Sequence, residues 1–361
     1  MNPMPVQHPT HRPTNRLAHI LAAAALAVMS GLAGAQNVGW RSIEVPAGEV
    51  LDEPTTVALY YPTAASPRTV PMGPFRVEAA INAEPLEHAR GLLLFSHGLG
   101  GSEIGQGRIA EALARRGWIV AVLRHPHDNW RDHALIGEGP SRYFVLRPRQ
   151  ASAVLDALLA DPAVAPRIAK DAHGPRIGAI GHSAGGYTVL ALAGGELDVP
   201  RLVHHCADER AEDPIFCASG AQARPAAPSG APGSLRDARV RAVAALAPVG
   251  VPFSDTSLAG ISIPVSVYAG RYDTFLVPRF HGERVAKAIP TAQWHLVDEA
   301  THFAFMDTPG MPIPSPDGDI GLDRPGFDRA AFQARLAVEL DTFFAEALGE
   351  GAPRENGGAA K

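Results

Sequence analysis

Five residues constrain this chain more than any others: Gly181-His182-Ser183-Ala184-Gly185, with a further glycine at 186. They follow the run Arg176 to Ile180, which reads as a strand, and precede a helical stretch from Tyr187 to Ala193 that Gly194 and Gly195 halt. A serine pinched between strand and helix must sit in a strained turn, where side chains two positions to either side would collide with the adjoining elements. Glycine at 181, 185 and 186 removes that conflict. The turn exposes the Ser183 hydroxyl and sets a helix N-terminus behind it, which favours developing negative charge. In a chain with 36 glycines the five letters recur by chance, so the strand, turn and helix around them are what make Ser183 the candidate nucleophile.

The rest of the chain has the rhythm such a turn requires. Short runs rich in β-branched and apolar residues recur at Arg41 to Val45, Thr56 to Tyr61, Gly91 to Ser96, Trp118 to Leu123, Arg239 to Ala247, Val265 to Ala269 and Gln293 to Val297. Between them lie helical patterns at about Arg108 to Arg116 and Gln150 to Leu159, and an amphipathic helix closes the chain at Arg329 to Leu348. This alternation predicts an α/β fold with a mostly parallel central sheet and helices on both faces. Two stretches break it. Residues 194–237 form a small cap-like insertion holding both cysteines, with Ala218 to Ser234 reading as a connector, and Thr308 to Gly326 reads as a surface loop. With no internal repeat, residues 36–361 are expected to form a single domain.

Serine needs a base to take its proton and an acid to orient that base. Asp273 lies just past the Val265 to Ala269 strand, at the sheet edge where such groups collect. Asp255, in a loop remote from a strand end, and Asp298, after the strand that leads to a histidine, are its rivals. Of 15 histidines, His302 alone lies in the short loop after the last predicted strand and is the candidate general base. Acyl transfer also needs donors for an oxyanion, and these are assigned to the backbone N–H groups of Leu99, in His97-Gly98-Leu99-Gly100-Gly101, and of Ala184. That glycine-rich turn lacks the spacing of the dinucleotide or P-loop patterns. His97 itself reads as structural. Trp130, Tyr143, Phe144, Phe275 and Phe303 are candidates for an apolar pocket.

The N-terminus indicates where the protein works. Arg12 and Arg16 precede an apolar run from Leu17 to Met29, followed by Ala33-Gly34-Ala35, the pattern of a signal peptide over residues 1–35 cleaved near Ala35. The run is shorter than the roughly 20 residues of a spanning helix, so no stable membrane anchor is expected. A secreted or periplasmic location follows. In an oxidising compartment Cys206 and Cys217, the only two cysteines, are expected to pair. A metal site using the adjacent His204 and His205 is the competing reading, but the pair spacing of zinc ligands is absent, and neither metal nor cofactor is expected. The formal charge of -5, without long runs of one sign, offers no basic stripe for nucleic acid.

Taken together, Tyr60-Tyr61-Pro62-Thr63, His97-Gly98-Leu99-Gly100, Gly181-His182-Ser183-Ala184-Gly185-Gly186 and Thr301-His302-Phe303-Ala304-Phe305 resemble a bacterial group known as predicted dienelactone hydrolases. The same segments are similar to platelet-activating factor acetylhydrolases. The resemblance spans roughly Val45 to Phe344 and implies the α/β-hydrolase fold and a serine esterase acting on a small-molecule ester. Two departures narrow it. True dienelactone hydrolases use a cysteine in the cytoplasm, whereas this chain has Ser183 and an export signal. The acetylhydrolases carry their acid one strand earlier, where this chain reads Ala247-Pro248-Val249-Gly250. An amidase or peptidase with the same three groups, and a noncatalytic exported binding protein on the same scaffold, are the other readings.

Overall fold

The computed structural model describes residues 1, 36–219 and 233–349. The chain divides after Ala35 into two units, and the sheet, its helices and all of the candidate site residues belong to the second, from Gln36. The expected signal peptide and most of the expected connector between Ala218 and Ser234 lie outside the described residues.

Ten strands form one sheet: β1 (Asn37–Val45), β2 (Thr55–Thr63), β3 (Arg68–Met72), β4 (Phe75–Ile81), β5 (Leu92–Ser96), β6 (Ile119–Leu123), β7 (Ile177–His182), β8 (Ala242–Leu246), β9 (Val265–Gly270) and β10 (Ala292–Val297). Their spatial order is β10-β9-β8-β7-β5-β6-β2-β1-β4-β3. Neighbours from β6 to β10 run parallel, while β2 is antiparallel to both β1 and β6. Every residue of β5, β6, β7, β8 and β9 is buried, which is why these segments read as nearly continuous apolar runs.

Alternation along each strand feeds two cores. Leu92, Leu94, Ala121 and Val243 face one, and Leu93, Phe95, Val120 and Ala244 face the other. The first core is covered by α2 (Pro140–Ala160), α3 (Ala184–Ala193) and α7 (Gly282–Ala288). The second is covered by α1 (Gly107–Ala114) and α8 (Arg329–Leu348), whose Leu336, Leu340 and Phe344 are fully buried. The insertion contributes α4 (Val199–Asp208) and α5 (Pro214–Ala218), with Leu202, Cys206, Phe216 and Cys217 in the first core. A short helix, α6 (Asp255–Ala259), lies between β8 and β9.

The local sequence pattern marks neither helices α4 to α7 nor the hairpin β3–β4, and it starts α2 too late. The hairpin β3–β4 turns on Gly73-Pro74, with φ of 58° at Gly73, and β4 joins the sheet beside β1. Its prolines at 71 and 74 look like breaks, yet glycine at the first turn position and proline at the second suit a tight hairpin, and an edge strand tolerates Pro71. Helix α2 begins ten residues before the expected Gln150 and runs through Pro148, whose missing N–H and ring normally interrupt a helix. Ten of its residues are buried, and that packing outweighs the local penalty.

Candidate active site

Ser183 occupies the turn between β7 and α3 with φ 57° and ψ −118°, a conformation an L-residue holds only under constraint, at a cost of about 1–3 kcal/mol. The constraint comes from close packing on either side. A Cβ on Gly181 would lie 2.0 Å from the Gly185 carbonyl oxygen, and one on Gly185 would lie 1.9 Å from that of Ser96. The turn is further held by Ser183 N–H donating to Leu246 O (2.9 Å) and by Val249 N–H donating to Ser183 O (3.1 Å). The strand-end serine expected from the glycine pattern is therefore fixed by β5 and β8, the two neighbours of β7.

Asp273 and His302 arrive from the next loops along the sheet. The loop after β9 is laced to the loop after β10 by Arg271 N–H to Val297 O and Tyr272 N–H to Ala300 O, both 2.9 Å. Asp273 Oδ1 accepts from the N–H groups of Phe275 (2.9 Å) and Leu276 (2.7 Å), which leaves Oδ2 to accept from His302 Nδ1 at 2.8 Å. Both side chains are buried, and Phe275 stacks on the His302 ring at 4.8 Å with Phe303 edge-on. The structure thus makes the link between the expected acid and base. Among the described residues Ser183 Oγ makes no hydrogen bond to the imidazole; such bonds often tighten only around substrate. The rival acids stand elsewhere: Asp298 pairs with Arg271, and Asp255 with Arg201 and Arg284, and both carboxylates are exposed.

The histidine loop is clamped from behind. Gln333 of α8 donates to Ala304 O (3.0 Å) and Met306 O (2.6 Å), and Asp307 N–H donates to Gly105 O (2.9 Å). The Asp307 carboxylate receives Arg108 N–H at the start of α1, at 3.1 and 3.2 Å. Burial pushes Asp307 up to about 8, and the neighbouring Glu111 is pushed up to about 7 by the same cause.

Of the two expected donors, Ala184 opens α3, where a first-turn N–H has no acceptor within the helix. Leu99 lies in the turn after β5, whose neighbouring groups are occupied: Gly100 N–H donates to Asp128 Oδ1 (2.8 Å) and Gly101 N–H to Gly98 O (3.1 Å). Gly98 approaches so closely that a Cβ there would lie 3.1 Å from Ser183 Cβ. His97 is structural as expected, donating from Nδ1 to Gly98 O (2.7 Å) while Nε2 accepts from His125 N–H (3.1 Å). Burial lowers its imidazole to about 4 and keeps it neutral.

Sequence reasoning missed three groups here: His182, which donates to the carbonyl of His302, and the buried ion pair of Asp128 and Arg147 beneath the Leu99 turn. Only the place of His182 inside the motif could have pointed to it. The aromatic set is also revised. Phe275 and Phe303 border His302, and Trp130 is 55% exposed with its backbone N–H on Gly101 O, but Tyr143 and Phe144 are buried in the core.

Cys206 and Cys217 are joined in a disulfide with Cα atoms 5.4 Å apart. His205 Nε2 is engaged by Asp213 (2.8 Å), which also receives His281 Nε2 (2.9 Å). Burial would raise the Asp213 carboxyl, but the two imidazole hydrogen bonds outweigh it and hold it at about 2. Both sulfurs of the Cys206 and His205 cluster are bonded to each other, so neither is a thiolate able to hold a metal. Among the described residues no helix is long and apolar enough to cross a membrane.

The sheet order, the antiparallel second strand and the strained serine after β7 define the α/β-hydrolase fold. Two solved structures agree. The chain is similar to a ferulic acid esterase from Streptomyces cinnamoneus, with a TM-score of 0.58 and 21% identity over 88% of this chain and 91% of that one. It is also similar to a puromycin-hydrolyzing peptidase of Mycobacterium tuberculosis, with a TM-score of 0.50 and 15% identity over 87% of this chain and 40% of that one. A dienelactone hydrolase from Anabaena variabilis matches with a TM-score of 0.45 and 15% identity over 86% of this chain and 98% of that one. No family model and no curated protein matches the sequence.

Proposed function

We propose that this chain is an exported serine hydrolase that cleaves carboxylic esters of small molecules through an acyl-Ser183 intermediate. The observation that carries the reading is the 2.8 Å bond from His302 Nδ1 to an Asp273 carboxylate, on loops adjoining a serine forced into a strained turn. With Nδ1–H committed to Asp273, His302 Nε2 is left as the base. It takes the Ser183 proton as Oγ attacks the ester carbonyl, and the oxyanion is received by Leu99 and Ala184 N–H. The same proton passes to the leaving alkoxide. Water then loses a proton to His302, attacks the acyl-enzyme carbon and releases the acid, restoring Ser183–OH. Export is supported by the disulfide and by the leader-like N-terminus.

Ester over amide is favoured by the sequence resemblance and by the esterase name of the Streptomyces structure, while the peptidase on the same fold represents the other outcome. Ser183→Ala should fold normally and lose roughly 10³-fold or more in kcat, because the three groups act as a unit. An organophosphate should label the Ser183 peptide and no other. A p-nitrophenyl ester series from acetate to palmitate, with a matched anilide, then reads acyl length and bond preference together. Activity surviving in Ser183→Ala would overturn the mechanism, and no turnover of any ester or anilide by intact, unlabelled protein would favour a binding role.

A further inference from the structure

Arg147 carries a charge the reaction does not use, in a place where charge is costly. Its side chain and that of Asp128 are both 0% exposed. A buried ion pair seldom stabilises a fold more than well-packed apolar residues of the same volume would, so its value lies in geometry. That geometry converges on the two backbone donors. The Arg147 Nη1 donates to Asp128 Oδ2, and Nη2 donates to the carbonyl of His97 and, at 3.3 Å, to Ser96 Oγ. On its other edge Nε donates to Thr188 Oγ1 at 3.3 Å, and that hydroxyl donates to Ala184 O at 3.0 Å. Asp128 completes the frame, taking Gly100 N–H on Oδ1 (2.8 Å) and the Tyr143 hydroxyl on Oδ2 (2.8 Å).

One rigid guanidinium plane therefore touches both sides of the gap. It pins the His97 carbonyl, one peptide ahead of the unit that carries the Leu99 N–H, and through Asp128 it pins the Gly100 N–H in the peptide after Leu99, so the turn is held on either side of the Leu99 donor. Through Thr188 it also holds the first turn of α3, where Ala184 lies. We propose that Arg147, paired with Asp128, is a positioning residue that sets the spacing between the Leu99 and Ala184 N–H donors. The proposal rests on the reading of those two groups as the oxyanion donors. Such donors act only within about 2.7–3.1 Å of the developing oxygen, so a small slip of the Leu99 turn against α3 is felt in the transition state and little in the ground state. Lysine cannot replace this residue, because one ammonium lacks the planar fork that reaches His97, Asp128 and Thr188 together.

The test uses the full chain with p-nitrophenyl acetate as substrate and phenylboronic acid as a tetrahedral mimic. Arg147→Lys, and the charge-neutral pair Arg147→Met with Asp128→Asn, should lower kcat roughly 10- to 100-fold while KM moves less than about threefold. Phenylboronic acid should weaken by a similar factor in variants whose Tm is that of the parent, which loss of stability alone would not produce. Should either variant fail to fold, Thr188→Val decides: a several-fold loss of kcat at constant KM supports the frame, and parental kcat overturns it. A folded Arg147 variant with parental kcat and parental boronate affinity also overturns it. If Ser183→Ala abolishes turnover in the same assay, that failure belongs to this inference alone; if Ser183→Ala remains active, the underlying mechanism has failed first.

Discussion

The imidazole of His182 donates from Nε2 to the backbone carbonyl of His302 at 3.0 Å, tying the residue before the candidate nucleophile to the candidate base across 120 positions of chain. The two rings lie 4.9 Å apart. Burial lowers the His182 pKa well below the ordinary histidine value, with the His302 ring adding to the effect, so His182 is neutral. With its proton on Nε2 and Nδ1 lacking a partner among the described residues, it serves as a one-directional strut between two loops.

His182→Phe keeps a ring of similar size against His302 but removes the imidazole donor from the buried His302 carbonyl. It should cost about 1 kcal/mol in stability, the net contribution of one buried hydrogen bond. Because the base is then free to shift, kcat should fall by about tenfold or more with KM little changed. Denaturant melts and steady-state kinetics on a short-chain ester check both; an unchanged kcat would remove His182 from the positioning of His302.

Asp273→Asn should be far more damaging than its size suggests. The carbonyl oxygen of asparagine would take the place of Oδ1, which accepts from Phe275 and Leu276 N–H, and so turn its NH₂ toward His302 Nδ1. An acceptor at Nδ1 forces the proton onto Nε2, the nitrogen that must receive the serine proton. The expected loss is about 10³- to 10⁴-fold in kcat with the fold intact. Retained turnover would pass the acid role to Asp298 or Asp255.

Asp307 predicts a pH dependence of stability with a definite sign. Burial raises its carboxyl from 3.8 to about 8 in the folded chain, so between those values the folded state holds a proton that the unfolded state has released. Stability from this group is complete below pH 3.8 and is lost as pH rises toward 8; Glu111, raised from 4.5 to about 7, acts in the same direction. Asp307→Asn should flatten the decline in unfolding free energy across that window, measured by urea titration at several pH values. A decline equally steep in the variant would mean that Asp307 does not carry it.

The disulfide closes a short loop inside the insertion, and removing it by Cys206→Ser with Cys217→Ser should cost roughly 2–3 kcal/mol on the loop-entropy model. Since α4 and α5 sit on the first core rather than within the sheet, substrate selectivity should change before global unfolding does. Titration of denatured, unreduced protein should find no free thiol. Two free thiols would contradict the bridge.

The residues legible from sequence alone are those whose role is local. Gly181, Gly185 and Gly186 declare a crowded strand-to-helix turn because no other side chain fits within 3 Å of the facing backbone. The continuous apolar runs of β5 through β9 declare a sheet buried on both faces, and β9 and β10 end where Asp273 and His302 then appear. The tertiary structure alone decided the rest. Pro71 and Pro148 disfavour strand and helix locally, and an edge position and a buried helix face make them tolerable. Asp128 and Arg147, like His182 and Gln333, look like any polar residues in a chain where most such groups are solvated. The partners of Arg147, His182 and Gln333 are the His97 carbonyl, Thr188, the His302 carbonyl and Ala304, between 29 and 120 positions away, and those of Asp128 are Gly100, Tyr143 and Arg147, 15 to 28 positions away. Burial turns such hydrogen bonds from replaceable contacts with water into obligatory ones, and no local pattern of residues records which distant backbone groups folding will bring within reach.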